Sequence, residues 1–194
     1  ESWSGGEDKY RGASGPFKVR PSTYQDPMFE AYMTAADQLG LGRTADYNGD
    51  NQLGLGRSQQ NIVAGRRFSA ADAYLRPALK RPNLTLKLKQ FVTKLVIEKS
   101  RAIGVELAGP NGQTQTIIAE QEVMVATGAL NSPHLLMLSG IGPTEQLQKQ
   151  GLDVIADAPE VGQNLQDHMS AGVAYHRKQP GPFVANARYD RLAI

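Results

Sequence analysis

Residues 122–142 read EVMVATGALNSPHLLMLSGIG, and this stretch decides the fold. Four of the five residues of EVMVA (122–126) are apolar, as a strand buried on both faces requires, so the run predicts parallel neighbours on either side. It passes directly into Thr127-Gly128 and then into SPHLLMLSG, which predicts a helix with Ser132 as its cap and Pro133 at its first position. A buried strand, a tight glycine turn and a helix N-terminus together present free N–H groups and a positive dipole end to an anion or nucleotide. Gly128 allows a close backbone approach that a side chain would block. Taken alone this is a common arrangement, so what surrounds it must carry the specificity.

Upstream, LTLKLK (84–89) alternates strictly and predicts a half-buried strand. FVTKLVIE (91–98), AIGVELA (102–108) and TQTIIA (114–119) supply further strands, and Asn111-Gly112 is a hairpin turn signal between the last two. These pieces predict a small antiparallel meander. Downstream, Thr144 can cap a short helix EQLQKQ closed by Gly151, and LDVIA (152–156) predicts one more strand.

The first 25 residues are loop-rich, with FKV (17–19) a short strand candidate. Asp26 and Pro27 open a helix on which Met28, Tyr32, Ala35 and Leu39 recur at helical spacing, and Gly40 can close it. LGLGR occurs at 39–43 and again at 53–57; Gln59 stands where a third glycine of GxGxxG would be, so glycine-rich turns are the better reading. Ser69 caps a second helix carrying Ala70, Ala73, Tyr74 and Leu75, ended or bent near Pro77.

Composition sets the outer bounds. The 194 residues are 40% hydrophobic and 21% charged, enough for one domain or parts of two. A net charge of +2 with interspersed signs and scattered aromatics gives no nucleic-acid stripe or stacking platform. The absence of cysteine removes disulfides, thiolate metal sites and cysteine nucleophiles, and no apolar run reaches membrane-spanning length; both fit a cytoplasmic protein. His134, His168 and His176 have no metal-ligand spacing, so no metal is expected. His134 reads as a helix-surface residue, Asp167 and His168 as loop-fixing residues, and His176 as solvated. Arg66 and Arg67 read as a solvated turn, and neither Ser69 nor Ser132 lies in GxSxG.

GALNSPHLLMLSGIG (128–142) resembles a signature of the glucose–methanol–choline (GMC) oxidoreductases. YRGASGPFKV, GRRFSAADAYLRPA (65–78), RPNLTLKLKQFVTKLV (81–96) and VGQNLQDH (161–168) agree with that family in order along the chain. The resemblance is closest to bacterial alcohol and choline dehydrogenase-like members.

It implies a mixed α/β fold: part of an FAD-binding Rossmann-like domain with a three-stranded β-meander, plus part of an antiparallel-sheet substrate domain. Residues 1–80 would be a loop-rich and helical segment partly in the substrate domain, 81–165 part of the FAD-binding domain, and 166–194 the start of the substrate-domain sheet. The implied activity is oxidation of an alcohol CH–OH group by hydride transfer to FAD, with a small-molecule alcohol as substrate. Val92 matches a valine, just after the first meander strand, whose backbone pairs with the flavin's adenine edge. Ala126, Thr127 and Gly128 would pack beside the nucleotide half of FAD, with Ser132 continuing the motif. Many members carry alanine where this chain has Thr127. The family's pyrophosphate-binding GxGxxG and its catalytic histidine have no counterpart here and would lie before Glu1 and after Ile194. The chain alone is therefore expected to be an inactive interior portion of such an enzyme. A non-catalytic nucleotide-binding or interaction module that kept this part of the fold is the alternative.

Overall fold

The computed structural model describes residues 1–172 together with Ala174 and Lys178. The chain divides into two compact units, meeting in sequence between Leu86 and Lys87. The position of His176 and most of the expected segment 166–194 lie outside the described residues.

In the first unit β1 (Ser2–Trp3) pairs in parallel with β2 (Lys18–Pro21), which takes in part of the expected FKV strand. Helix α1 (Pro27–Gln38) starts as expected: the Asp26 carboxylate accepts from Met28 N and a proline occupies the first turn. Its buried face is displaced by one residue from the expected one. Met33 (6% exposed) and Ala36 (2%) are buried, whereas Tyr32 and Leu39 stand in solvent at 53% and 74%. Both sets are spaced helically, so periodicity alone could not choose between them.

The paired strands β3 (Gln59–Gln60), β4 (Ile62–Val63) and β5 (Arg66–Arg67) follow, β3 against β2 and β4 against β5. Arg66 and Arg67 are exposed. The two LGLGR copies meet each other: Arg43 and Leu55 form a parallel bridge, with Gly42 and Gly54 at φ 72° and 120°. The second helix opens with a π turn (Ala71–Leu75) that runs into α2 (Arg76–Ala78). Ser69 and Asp72 grip each other across its start: Ser69 N and Oγ donate to Asp72 Oδ2 at 2.8 and 2.7 Å, and Asp72 N donates back to Ser69 Oγ.

The second unit is built on the meander. Strands β6 (Phe91–Glu98), β7 (Arg101–Ala108) and β8 (Thr114–Ile118) form one antiparallel sheet in that order. The β7–β8 connection turns at Asn111 and Gly112, both at positive φ, as the Asn-Gly pair predicted. The β6–β7 turn places Lys99 and Ser100 at φ 48° and 63°, with no glycine to mark it.

LTLKLK is not a strand. Residues 84–89 are exposed and join no ladder among the described residues, with Lys89 at φ 56°, so the meander begins at Phe91. EVMVA likewise forms no ladder among the described residues: Val123 and Val125 are half-buried, whereas Met124 is 83% exposed. A strand suited to burial on both faces needs partners on both edges, and none of the described strands supplies them.

Helix α3 (Gly128–Leu138) begins five residues earlier than expected, so Ser132 and Pro133 lie inside it rather than at its start. Pro133, sixth along the helix, has no N–H to offer the Ala129 carbonyl. Beyond it β9 (Ile141–Gly142) pairs in parallel with β10 (Ala156–Asp157), so of LDVIA only Ala156 is in a strand. Helix α4 (Thr144–Lys149) is capped from outside, since Thr144 N and Oγ1 both donate to Asp157 Oδ1 (3.1 and 2.8 Å). Leu95, Leu107, Leu135 and Leu147 are the buried apolar side chains of this unit.

The two glycines of SGIG are packing devices. Gly140 sits at φ 82°, and a Cβ there would stand 2.6 Å from the Asp153 carbonyl oxygen. A Cβ on Gly142 would stand 2.8 Å from Met137 Cγ. Just before them Ser139, buried, ties the helix to the sheet: its Oγ accepts from Leu95 N at 2.8 Å and donates to the Leu135 carbonyl at 2.6 Å.

Candidate functional site

The N-terminus of α3 and the first residues of β6 enclose a cleft of about 270 Å³. Gln90, Phe91 and Val92 line it from the strand; Thr127, Asn131, His134, Leu135 and Leu138 line it from the helix. The helical residues follow one another at the spacing of a single face. Leu95 N bonding to Ser139 Oγ holds strand and helix in this relation, and the bond is buried.

Val92 is the second residue of β6 rather than a residue following a strand, because LTLKLK does not pair. It lies opposite Leu107, immediately before a register shift between Val92 and Lys94. A bulge re-aims side chains, and β6 is an edge of its sheet, so alternate backbone groups are left without a strand partner.

Thr127 stands at the helix start with φ −90° and ψ 8°. No side chain caps the helix, so its first N–H groups are unclaimed. Gly128 has φ 89°, and a Cβ built on it meets no heavy atom within 4 Å. The helix therefore opens on free space with its positive end outward, which suits a phosphate-bearing or otherwise electron-rich group. Ser132, one turn along, shares a 3.1 Å hydrogen bond with Thr127 Oγ1 instead of capping the helix.

Of the expected site residues, Val92 and Thr127 thus line one cleft, and Ser132 touches it through Thr127. Ala126 and Gly128 border the helix start, both exposed. Gln90, Phe91 and His134 join the lining although sequence reasoning gave none of them a binding role. The missing signal was the helix start: once α3 begins at Gly128, positions 127, 131, 134, 135 and 138 fall on one face.

Elsewhere the polar clusters are largely paired among themselves, although Asp46 Oδ2 and Arg11 Nη2 are buried without a hydrogen-bond partner. The first unit has a cleft of about 420 Å³ that includes Tyr10, Arg43, Asp46 and Asp50. There Tyr10 donates to Asp50 Oδ1, Arg43 pairs with Asp37, and Asp46 accepts from Gln59. Arg11, 5% exposed, lies over the Trp3 ring at 4.4 Å. Asp167 accepts from His168 N at 2.7 Å and so orders its own loop. Among the described residues no group of three His, Asp or Glu is placed to hold a metal ion, and no helix is long and apolar enough to cross a membrane.

The GMC oxidoreductase family model matches residues 2–170. An oxygen-dependent choline dehydrogenase of Brucella ovis is 48% identical over 181 residues, covering 93% of this chain and 32% of the relative. That of Sinorhizobium medicae is 52% identical over 165 residues, or 85% and 30% of the two chains. Among solved structures, an FAD-dependent oxidoreductase from Chaetomium thermophilum superposes with a TM-score of 0.77 at 34% identity, covering 86% of this chain and 28% of that one. The pyridoxine 4-oxidase from Mesorbium loti gives 0.73 at 35%, covering 81% and 31%. The chain therefore spans about a third of the length of these relatives. With the family model matching most of its length, and with the meander and glycine-opened helix in place, this chain belongs to the GMC oxidoreductase family.

Proposed function

We propose that this chain forms the nucleotide-facing part of an FAD site in a protein that oxidises the CH–OH group of a small alcohol. The observation that carries the reading is the cleft joining Val92 to Thr127 beside a helix that opens, uncapped, at Gly128. The free N–H groups of α3 favour the anionic part of a dinucleotide, and the apolar walls from Phe91, Val92, Leu135 and Leu138 favour a flat ring. Val92, Ala126, Thr127, Gly128 and Ser132 are the proposed cofactor-facing residues. Residues 81–165 would belong to the cofactor domain, and 1–80 and 166–194 would contribute to the substrate domain.

When bound, FAD supplies the hydride acceptor, and the alcohol becomes a carbonyl compound. The residues of this chain position the cofactor's nucleotide end and keep water from it; the base that takes the hydroxyl proton is not assigned to them. Choline is the first alcohol to test, since relatives 48% and 52% identical are named for it.

The test is to purify the full-length gene product, record its flavin absorbance and measure choline-dependent reduction of that flavin under nitrogen. Bound FAD that bleaches with choline or another primary alcohol is expected, and Gly128→Val should lose the flavin. A protein without flavin, even after reconstitution with FAD, overturns the proposal. Retained FAD that no alcohol reduces would leave a non-catalytic nucleotide-binding module.

A further inference from the structure

We propose that Asn111, at the tip of the β7–β8 hairpin, is a site of spontaneous covalent modification, where the side chain and backbone react to give aspartate and isoaspartate. The chain has two Asn-Gly pairs, Asn48-Gly49 and Asn111-Gly112. In such a pair the glycine backbone nitrogen is the nucleophile and the asparagine carboxamide its target, and the missing Cβ leaves the approach unshielded. The two pairs are alike in sequence, and the fold separates them.

Asn48-Gly49 is held on both sides of the reaction. The Asn48 carboxamide donates to Gln59 Oε1 at 2.8 Å, and Asn48 N donates to Asp46 Oδ1 at 2.9 Å. Gly49 is buried, and its N–H, the group that must attack, donates to the Asp46 carbonyl at 3.0 Å. Asn111-Gly112 is open. Both residues are exposed, and a Cβ built on Gly112 meets no heavy atom within 4 Å. Gly109 N donates to the Gln113 carbonyl at 2.7 Å and closes the hairpin below the tip. Above that bond no side-chain hydrogen bond among the described residues holds Asn111. Swinging the Gly112 amide onto the Asn111 side chain therefore displaces no packed neighbour.

The reaction needs only water. Gly112 N gives its proton to hydroxide and bonds to Asn111 Cγ. The Cγ–Nδ2 bond breaks, and Nδ2 takes a proton back from water and leaves as ammonia. Water then opens the succinimide ring. Cleavage between Gly112 N and Cγ gives aspartate; cleavage between Gly112 N and the Asn111 backbone carbonyl carbon gives isoaspartate. No group is oxidised or reduced. Residue 111 gains a negative charge, and in isoaspartate the backbone of the turn gains one methylene. A hairpin turn whose residues 111 and 112 both hold positive φ is set for a fixed length, so strand pairing loosens first at Ala108 and Thr114.

The test incubates the full-length gene product at mildly alkaline pH, where hydroxide speeds ring closure. Tryptic peptides 44–57 and 102–149 are then followed by mass spectrometry, with electron-transfer fragmentation to tell aspartate from isoaspartate. Asn111 should convert about tenfold or more faster than Asn48, because the hydrogen bonds that hold Asn48 and Gly49 must first break. In guanidinium chloride the two rates should converge, since the difference belongs to the fold. Gly112→Ala should slow conversion at position 111 by shielding the attacking nitrogen. Equal rates at the two sites in the native protein, or no conversion at Asn111, overturns the proposal. So does a difference that persists unchanged in guanidinium chloride, because it then belongs to the neighbouring sequence and not to the structure.

Discussion

Replacing Ser139 by alanine tests what holds the cleft together. Its hydroxyl is the acceptor for Leu95 N at 2.8 Å, and both residues are buried, at 5% and 7% exposure. The hydroxyl's other bond, to the Leu135 carbonyl, matters less, because that oxygen also accepts from Ser139 N at 3.1 Å. Removing the hydroxyl thus leaves one buried backbone donor on β6 without an acceptor, a desolvation cost of about 1–3 kcal/mol. The volume lost is a single oxygen atom, so the cavity contribution is minor beside this. For a protein of this size each kcal/mol lowers Tm by roughly 2–4 °C. The assay is urea unfolding followed by circular dichroism, with thermal scans alongside. A loss below about 0.5 kcal/mol, the scale of an ordinary surface substitution, would refute the claim that this bond anchors strand to helix. If the cleft depends on the anchor, Ser139→Ala should weaken FAD binding as well, although the residue does not line the cleft.

Three further outcomes are expected. Gly140→Ala should cost about 2 kcal/mol or more, because residue 140 holds φ 82° and its Cβ would meet the Asp153 carbonyl at 2.6 Å; an unchanged denaturation midpoint would contradict this. Ser100→Gly should stabilise by roughly 0.5–1 kcal/mol, since the β6–β7 turn now holds two non-glycine residues at positive φ, and a lower midpoint would count against the turn geometry. Asp72 has its pKa lowered chiefly by the hydrogen bond from the Ser69 hydroxyl and also by that from Ser69 N. A carboxylate depressed on folding contributes stability above its unfolded pKa of about 3.9 and loses it as pH falls through the folded value. Melting temperature should therefore decline less steeply below pH 4 in Asp72→Asn than in the parent, and superimposable pH profiles would disprove the link.

Local patterns in the sequence determined much of this fold, and particular residues show why. Asp26 and Pro27 mark the start of α1 because cap and first-turn preferences depend only on neighbouring residues. Phe91 to Ile118 becomes a meander because β-rich runs and the Asn111-Gly112 turn act over a few positions. The ordered motifs from YRGASGPFKV to VGQNLQDH were sufficient to indicate the family.

Tertiary structure decided the rest. Whether EVMVA and LTLKLK pair depends on edges offered by other strands, which local alternation cannot reveal. The buried face of α1 followed Met33 and Ala36 because packing, not periodicity, picks one of two equally spaced stripes. Ser132 and Pro133 look like a helix start, yet α3 begins at Gly128, and that five-residue extension places Asn131 and His134 on the wall of the cleft. Ser139 was silent in the sequence because its partner, Leu95, is 44 residues away. Long-range hydrogen bonds and the choice of helix face come from the assembled core, and here they turn a nucleotide-suited motif into a cleft with defined walls.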